Sequence, residues 1–195
     1  VRLAIFGGSF DPPHVGHLLV ADDAHGQLAL DRLVFVPAAT QPLKAGLGGA
    51  RASAEHRLAM TRLLADGDAR FEVSTIEIDR AGLSFTVDTL TDFAGRYPSA
   101  ERFLLLGADV LATFAQWREP TRILQLARPV ILERAGDPPV RLPEWMDAAA
   151  LRRLPTRRVD VSSTEIRERA RDGRSLRGFV TDAVAAYIDR HGLYR

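Results

Sequence analysis

Two histidines, His14 and His17, stand directly behind Gly7-Gly8-Ser9-Phe10-Asp11-Pro12-Pro13 and at the start of an apolar helical pattern. Three residues apart in a first helical turn, their side chains share one face and can reach the same anion. Gly7 and Gly8 let the backbone approach a ligand closely. A helix opening near Pro13 turns its unbonded N–H groups and the positive end of its dipole toward that ligand. The combination suits phosphate binding and the neutralisation of charge on it. A plain strand-to-helix turn needs one glycine and a cap, but neither a second glycine nor paired histidines. Metal ligation by the pair is not expected, because no cysteine and no third clustered histidine completes a coordination sphere.

A second helix beginning is written in Val161-Ser162-Ser163-Thr164-Glu165-Ile166-Arg167. Hydroxyls and free N–H groups there are donors, and Arg167, one turn in, can fork onto a phosphate. Taken alone, the stretch reads as an ordinary N-cap with Glu165 and Arg167 in solvent. Leu106-Gly107-Ala108-Asp109 sets a carboxylate just past an apolar run, where it can meet a ribose hydroxyl. Trp117 offers a flat face for a heteroaromatic ring, although core packing is the simpler use of a tryptophan.

These groups need a frame that gathers them. Short apolar strands are expected at residues 3–6, 32–36, 71–78, 103–106, 129–133 and 158–161. Helices are expected at 15–28, 53–65, 86–96, from 109, and at 120–126, 163–171 and 179–191. The alternation predicts an α/β fold: a Rossmann-like, doubly wound parallel sheet with helices on both faces and a small helical part over 162–195. Ligands on such sheets lie beyond the carboxyl ends of the strands, at the switch in strand order. Residues 37–52 and 135–143 read as loops, and the first is placed to act as a lid.

With 195 residues and 46% hydrophobic content, the chain fits one domain spanning 1–195. A net charge of +1 points to no bulk nucleic-acid or anionic-membrane partner, although residues 101–195 carry +4 and residues 1–100 carry −3. The nine arginines from Arg152 to Arg177 are expected to form a solvated face. The absence of cysteine excludes disulfides and thiolate catalysis. There is no secretory apolar region at the start and no run of about 18 apolar residues, so a cytoplasmic protein is expected. Self-association stays open.

Residues 7–17 resemble the GG[ST]FDPxHxGH signature of the HxGH nucleotidyltransferases. Within that superfamily, nearly the whole chain resembles the bacterial nicotinate mononucleotide adenylyltransferases. The resemblance implies transfer of AMP from ATP to nicotinate mononucleotide, giving deamido-NAD and pyrophosphate in NAD biosynthesis. Mg²⁺ would be carried with ATP. It implies catalytic roles for His14, His17 and Arg167, and ATP contacts from Gly7, Gly8, Ser9, Phe10, Gly107 and Asp109. Residues 161–167 match an ISSTxIR motif, with Val161 in place of isoleucine. By that match Ser163, Thr164 and Arg167 hold the β- and γ-phosphates or the leaving pyrophosphate. Lys44 takes the place of the phosphate-contacting lysine of a PPHK loop, with Leu43 where histidine is usual.

On the acceptor side, Ser84-Phe85-Thr86 resembles the S-[YF]-T motif that recognises the pyridine carboxylate. Trp117 completes a GxDxL…W pattern and would stack on the nicotinate ring. Asp109 would serve the acceptor as well, and Arg134 fits the basic position of an RPG motif with alanine replacing proline. The alternatives are a sister enzyme acting on nicotinamide mononucleotide or phosphopantetheine, and an inert nucleotide sensor.

Overall fold

The computed structural model describes residues 1–43, 49–111, 113–134, 146, 147, 149 and 151–195, with the backbone alone for residues 109 and 134. Six parallel strands form one sheet: β1 (Arg2–Gly8), β2 (Arg32–Pro37), β3 (Phe71–Val73), β4 (Glu101–Gly107), β5 (Arg128–Arg134) and β6 (Arg152–Thr156), in the order β3-β2-β1-β4-β5-β6. The helices are α1 (Val15–Leu28), α2 (Ala54–Ala65), α3 (Ile76–Arg80), α4 (Thr86–Arg96), α5 (Ala108–Leu111), α6 (Pro120–Leu126), α7 (Ser163–Arg171) and α8 (Asp182–Arg190).

Alternation along β1 assigns the two faces, since successive side chains of a strand point oppositely. Ala4 and Phe6 join one core with α1, α2, α7 and α8 residues such as Leu28, Met60, Ile166 and Val184. Leu3 and Ile5 join the other with α4 and α6 residues such as Leu90, Phe93 and Ile123. Helices therefore cover both faces, and the doubly wound expectation holds. The strand order reverses between β1 and β4, which pair with Ile5 opposite Leu104. Their carboxyl ends, Gly8 and Gly107, flank the crevice where such sheets bind ligands.

Three expected elements differ. The strand read over 71–78 stops at Val73, and residues 76–80 form α3. Ser74 Oγ accepts from the Ile76 N–H at 3.3 Å, and the Asp79 N–H bonds the Thr75 carbonyl at 2.8 Å, so local hydroxyl and backbone capping overrides the apolar alternation. The strand read over 158–161 lies instead at β6. Leu154 and Thr156 point inward there, and Pro155 is accommodated because β6 is an edge strand. Val161 packs on the α1-side core without strand pairing. The last helix begins at Asp182, not at 179, because Thr181 Oγ1 caps the Val184 N–H at 3.3 Å.

The arginines at 152–177 are laced with acids. Arg157 pairs with Asp23, Arg158 with Asp160, and Arg171 and Arg174 with Asp172. Such surface pairs, screened by water and salt, add little to stability. No helix among the described residues is long and apolar enough to cross a membrane.

Candidate active site

The turn after β1 is shaped by its aromatic. Phe10 adopts left-handed backbone torsions (φ 48°), costly for a bulky residue, and buries its ring edge-on to Phe6, Phe35 and His17. A Cβ on Gly8 would stand 3.1 Å from that ring, so the second glycine makes room for Phe10. A Cβ on Gly7 would meet no protein atom within 4 Å, so packing within the chain does not require the first. A cis Asp11–Pro12 bond follows.

His14 is the N-cap of α1 and His17 its third residue. The His14 N–H donates to His17 Nδ1 at 3.1 Å, and the His17 N–H returns to the His14 carbonyl at 2.9 Å. Because a backbone N–H can only donate, Nδ1 of His17 accepts and the proton of the neutral ring sits on Nε2. The ring centroids of the two histidines lie 3.8 Å apart. Gly16 is the condition for this: its Cβ would come within 3.0 Å of the His14 ring.

The start of α7 is fastened to the same turn. Arg167 donates to the Asp11 carbonyl at 2.7 Å and to Thr164 Oγ1 at 3.0 Å, and Ser163 Oγ donates to the Pro12 carbonyl at 2.9 Å. The Val15 N–H reaches the Phe179 carbonyl at 3.0 Å. Residues 11–14 are thus shared by two helix beginnings, each of which carries partial positive charge.

Opposite lies the start of α4. The Ser84 N–H bonds the Thr40 carbonyl and Ser84 Oγ accepts from the Ala39 N–H, both at 2.9 Å, so Ser84 ties this segment to the end of β2. Thr86 opens α4. The Arg118 guanidinium rides over the Phe85 ring at 5.0 Å and lies 3.4 Å from Asp88, bringing the Trp117 segment onto the first turn of α4. Trp117 is half-buried, with its ring 5.1 Å from Phe114.

Behind this wall Glu77 is buried and accepts from Thr89 Oγ1 at 2.7 Å. Burial pushes its carboxyl pKa up, against the lowering effect of the Thr89 and Ser84 hydroxyls and of Arg80. A raised carboxyl pKa favours the protonated form in the fold. Glu77 therefore adds stability at low pH, and that contribution is lost as pH rises through its raised value. Glu77→Gln is expected to remove this component. Its melting temperature should gain a few degrees on wild type between about pH 4 and about pH 8. Parallel thermal melts would exclude the idea by tracking each other across that range.

Residues 5–169 match the cytidylyltransferase-like family. The chain is 52% identical to a probable nicotinate-nucleotide adenylyltransferase of Gemmatimonas aurantiaca, over all of this chain and 93% of the relative. It is 44% identical to one of Thermus thermophilus over the full length of both. The chain belongs to the nicotinate-nucleotide adenylyltransferase family. Its fold is shared with a Plasmodium falciparum nicotinic acid mononucleotide adenylyltransferase solved with NaAD: TM-score 0.77, 18% identity, 99% of this chain and 97% of that one.

In this adenylyltransferase fold, Gly7, Gly8, Ser9, Phe10, His14, His17, Ser163, Thr164 and Arg167 gather at one turn or on the helix docked to it. Gly107 ends the neighbouring strand. The hydroxyls of Ser84 and Ser163 are engaged by the protein itself, which gives them a bracing role in this arrangement. Lys44 and the whole of the 135–143 loop lie outside the described residues, as do the side chains of Asp109 and Arg134.

Sequence reading missed Arg57, Asp11 and Tyr194. Arg57 is 2% exposed and spans the carbonyls of Ser9, Ala39 and Ala52 at 2.8, 2.9 and 3.2 Å. Burial lowers its pKa, partly offset by Asp11, but an arginine starting so high stays charged. Nothing in its local sequence separates it from a surface arginine of α2. Asp11 stands inside the signature, yet its partners Arg51, Ala52 and Tyr194 are remote in sequence.

Proposed function

We propose that the chain transfers AMP from ATP to nicotinate mononucleotide, giving deamido-NAD and pyrophosphate in NAD biosynthesis, as one domain in the cytoplasm. The observation that carries this is the meeting of two helix beginnings at residues 11–14, with His17 on one and Arg167 on the other. A phosphate oxygen of the acceptor attacks the α-phosphorus of ATP. A new P–O bond forms as the bond to the α–β bridging oxygen breaks, and that electron pair leaves with pyrophosphate. The attacking oxygen is already anionic, so no protein base is needed. Catalysis rests on alignment and on positive charge placed where negative charge grows. The Nε2–H of His17 and His14 beside it face the α-phosphoryl oxygens, while Arg167, Thr164 and the backbone N–H of Ser163 face the leaving phosphates. Mg²⁺ would arrive as part of the Mg·ATP substrate and would add positive charge at its phosphates. Gly107 and Asp109 at the end of β4 would meet a ribose, Lys44 the phosphates, and Arg134 the acceptor. No nucleic-acid or membrane partner enters this reading.

The acceptor is assigned to the wall of Ser84, Thr86 and Trp117, where N–H groups opening α4 suit a pyridine carboxylate. Trp117→Ala is expected to raise KM for the pyridine nucleotide roughly tenfold, with a much smaller change for ATP, as the loss of one ring-stacking face implies. A defect selective for ATP would move the acceptor elsewhere. The deciding experiment measures pyrophosphate release from Mg·ATP with nicotinate mononucleotide, nicotinamide mononucleotide or phosphopantetheine. Release with the first is expected to dominate. Preference for another acceptor corrects the substrate, and no release with any of them makes the protein a sensor.

A further inference from the structure

We propose that Tyr194, in the segment after α8, is a positioning residue for the nucleotide site and acts through the Asp11 carboxylate on residues 51–52. Asp11 is 5% exposed, so its charge requires partners. Oδ2 accepts from the Arg51 N–H at 2.6 Å. Oδ1 accepts from the Ala52 N–H at 3.0 Å and from the Tyr194 hydroxyl at 2.8 Å. The phenol is the side-chain donor among these three, and it fixes how the carboxylate faces the two amides.

The tyrosine is itself held in place. It sits at φ 68°, after a reversal in which the Gly192 and Leu193 N–H groups bond the carbonyls of Asp189 and Ile188. α8 is seated on α2, with Tyr187 Oη 3.0 Å from His56 Nδ1. Burial, with the Asp11 charge beside it, pushes the Tyr194 pKa up, so the phenol remains a donor throughout the working pH range.

The segment so gripped forms a wall of a chamber. Ser9, Ala39, Thr40, Ala52, Ser53 and Arg57 line a cavity of about 270 Å³ beside the glycine turn. Arg57 holds the Ala52 carbonyl from one side, and Asp11 holds the amides of Arg51 and Ala52 from the other. The same cavity reaches Ala39 and Thr40, which brace the acceptor wall through Ser84 and Leu83. The geometry links Tyr194 to residues 51–52 through two hydrogen-bonded steps, and from there to the acceptor wall through three more, by way of Arg57, Ala39 and Ser84. Its kinetic consequence rests on the adenylyl-transfer reading, whereas its structural consequence does not.

The test uses the full chain. Tyr194→Phe is expected to speed amide exchange at Arg51 and Ala52 roughly tenfold, with α4 and β4 unaffected, because one hydrogen bond to a charged acceptor is lost. KM for nicotinate mononucleotide should rise by a similar factor, with kcat held within about twofold. In an Asp11→Asn background the same substitution should add little, since the oriented carboxylate is already gone. Unchanged exchange at both amides overturns the proposal. A uniform rise across the sheet, with kcat falling at constant KM, also overturns it, because that is the signature of general destabilisation. If the wild-type chain releases no pyrophosphate with any acceptor, adenylyl transfer fails and the exchange result alone decides the link.

Discussion

Replacing His17 by alanine is expected to lower kcat by roughly 10²–10³-fold while leaving KM for both substrates nearly unchanged. The reason is the fixed direction of one proton. With Nδ1 accepting the His14 N–H, the neutral ring keeps its proton on Nε2, and in the proposed reaction that fixed donor would meet the phosphate with little reorganisation. The charge it meets grows as the α-phosphoryl group transfers, and an interaction made chiefly in the transition state appears in kcat. The fold should survive, because His17 is only partly buried, with its ring edge-on to Phe10 at 5.0 Å and tilted against Phe6 at 6.0 Å. A melting temperature within about 3 °C of wild type would confirm that activity was measured on folded protein. A near-normal kcat would remove His17 from the chemistry.

Arg167→Ala is expected to lower kcat/KM by roughly 10³-fold, and Arg167→Lys by roughly 10–100-fold. One arm of the guanidinium already holds the Asp11 carbonyl, and the planar fork leaves further N–H groups for a phosphate. Lysine keeps the charge but cannot bridge the turn and the ligand in one rigid plane. A purely structural role predicts something else: both variants would melt lower, yet kcat/KM per folded molecule would stay at the wild-type value. Steady-state kinetics with a parallel active-fraction measurement separates the two.

Legibility followed the range of the interactions. The helices read at 15–28, 120–126 and 163–171 appear with the expected bounds, because caps and apolar periodicity act within a few residues. Misreadings fell where short apolar alternation was ambiguous. At 71–78 it was split by Ser74 and Thr75, and at 158–161 it described a segment packed on the core without a strand partner. Gly16 shows both limits. Its place in H-x-G-H was plain, but its cause, the His14 ring 3.0 Å from where a Cβ would be, needs coordinates.

By itself the sequence determined the parallel α/β class, the glycine turn feeding α1, the second helix beginning at Ser163 and the motif set that points to adenylyl transfer. Only the tertiary structure decided that Arg167 grips the Asp11 carbonyl, that Arg57 is buried beneath the turn, and that Tyr194 closes on Asp11 from 183 residues away. The first group depends on local backbone preferences and on periodicity, which a single stretch of chain encodes. The second depends on which remote segments become neighbours once both faces of the sheet are covered, and no local pattern records that.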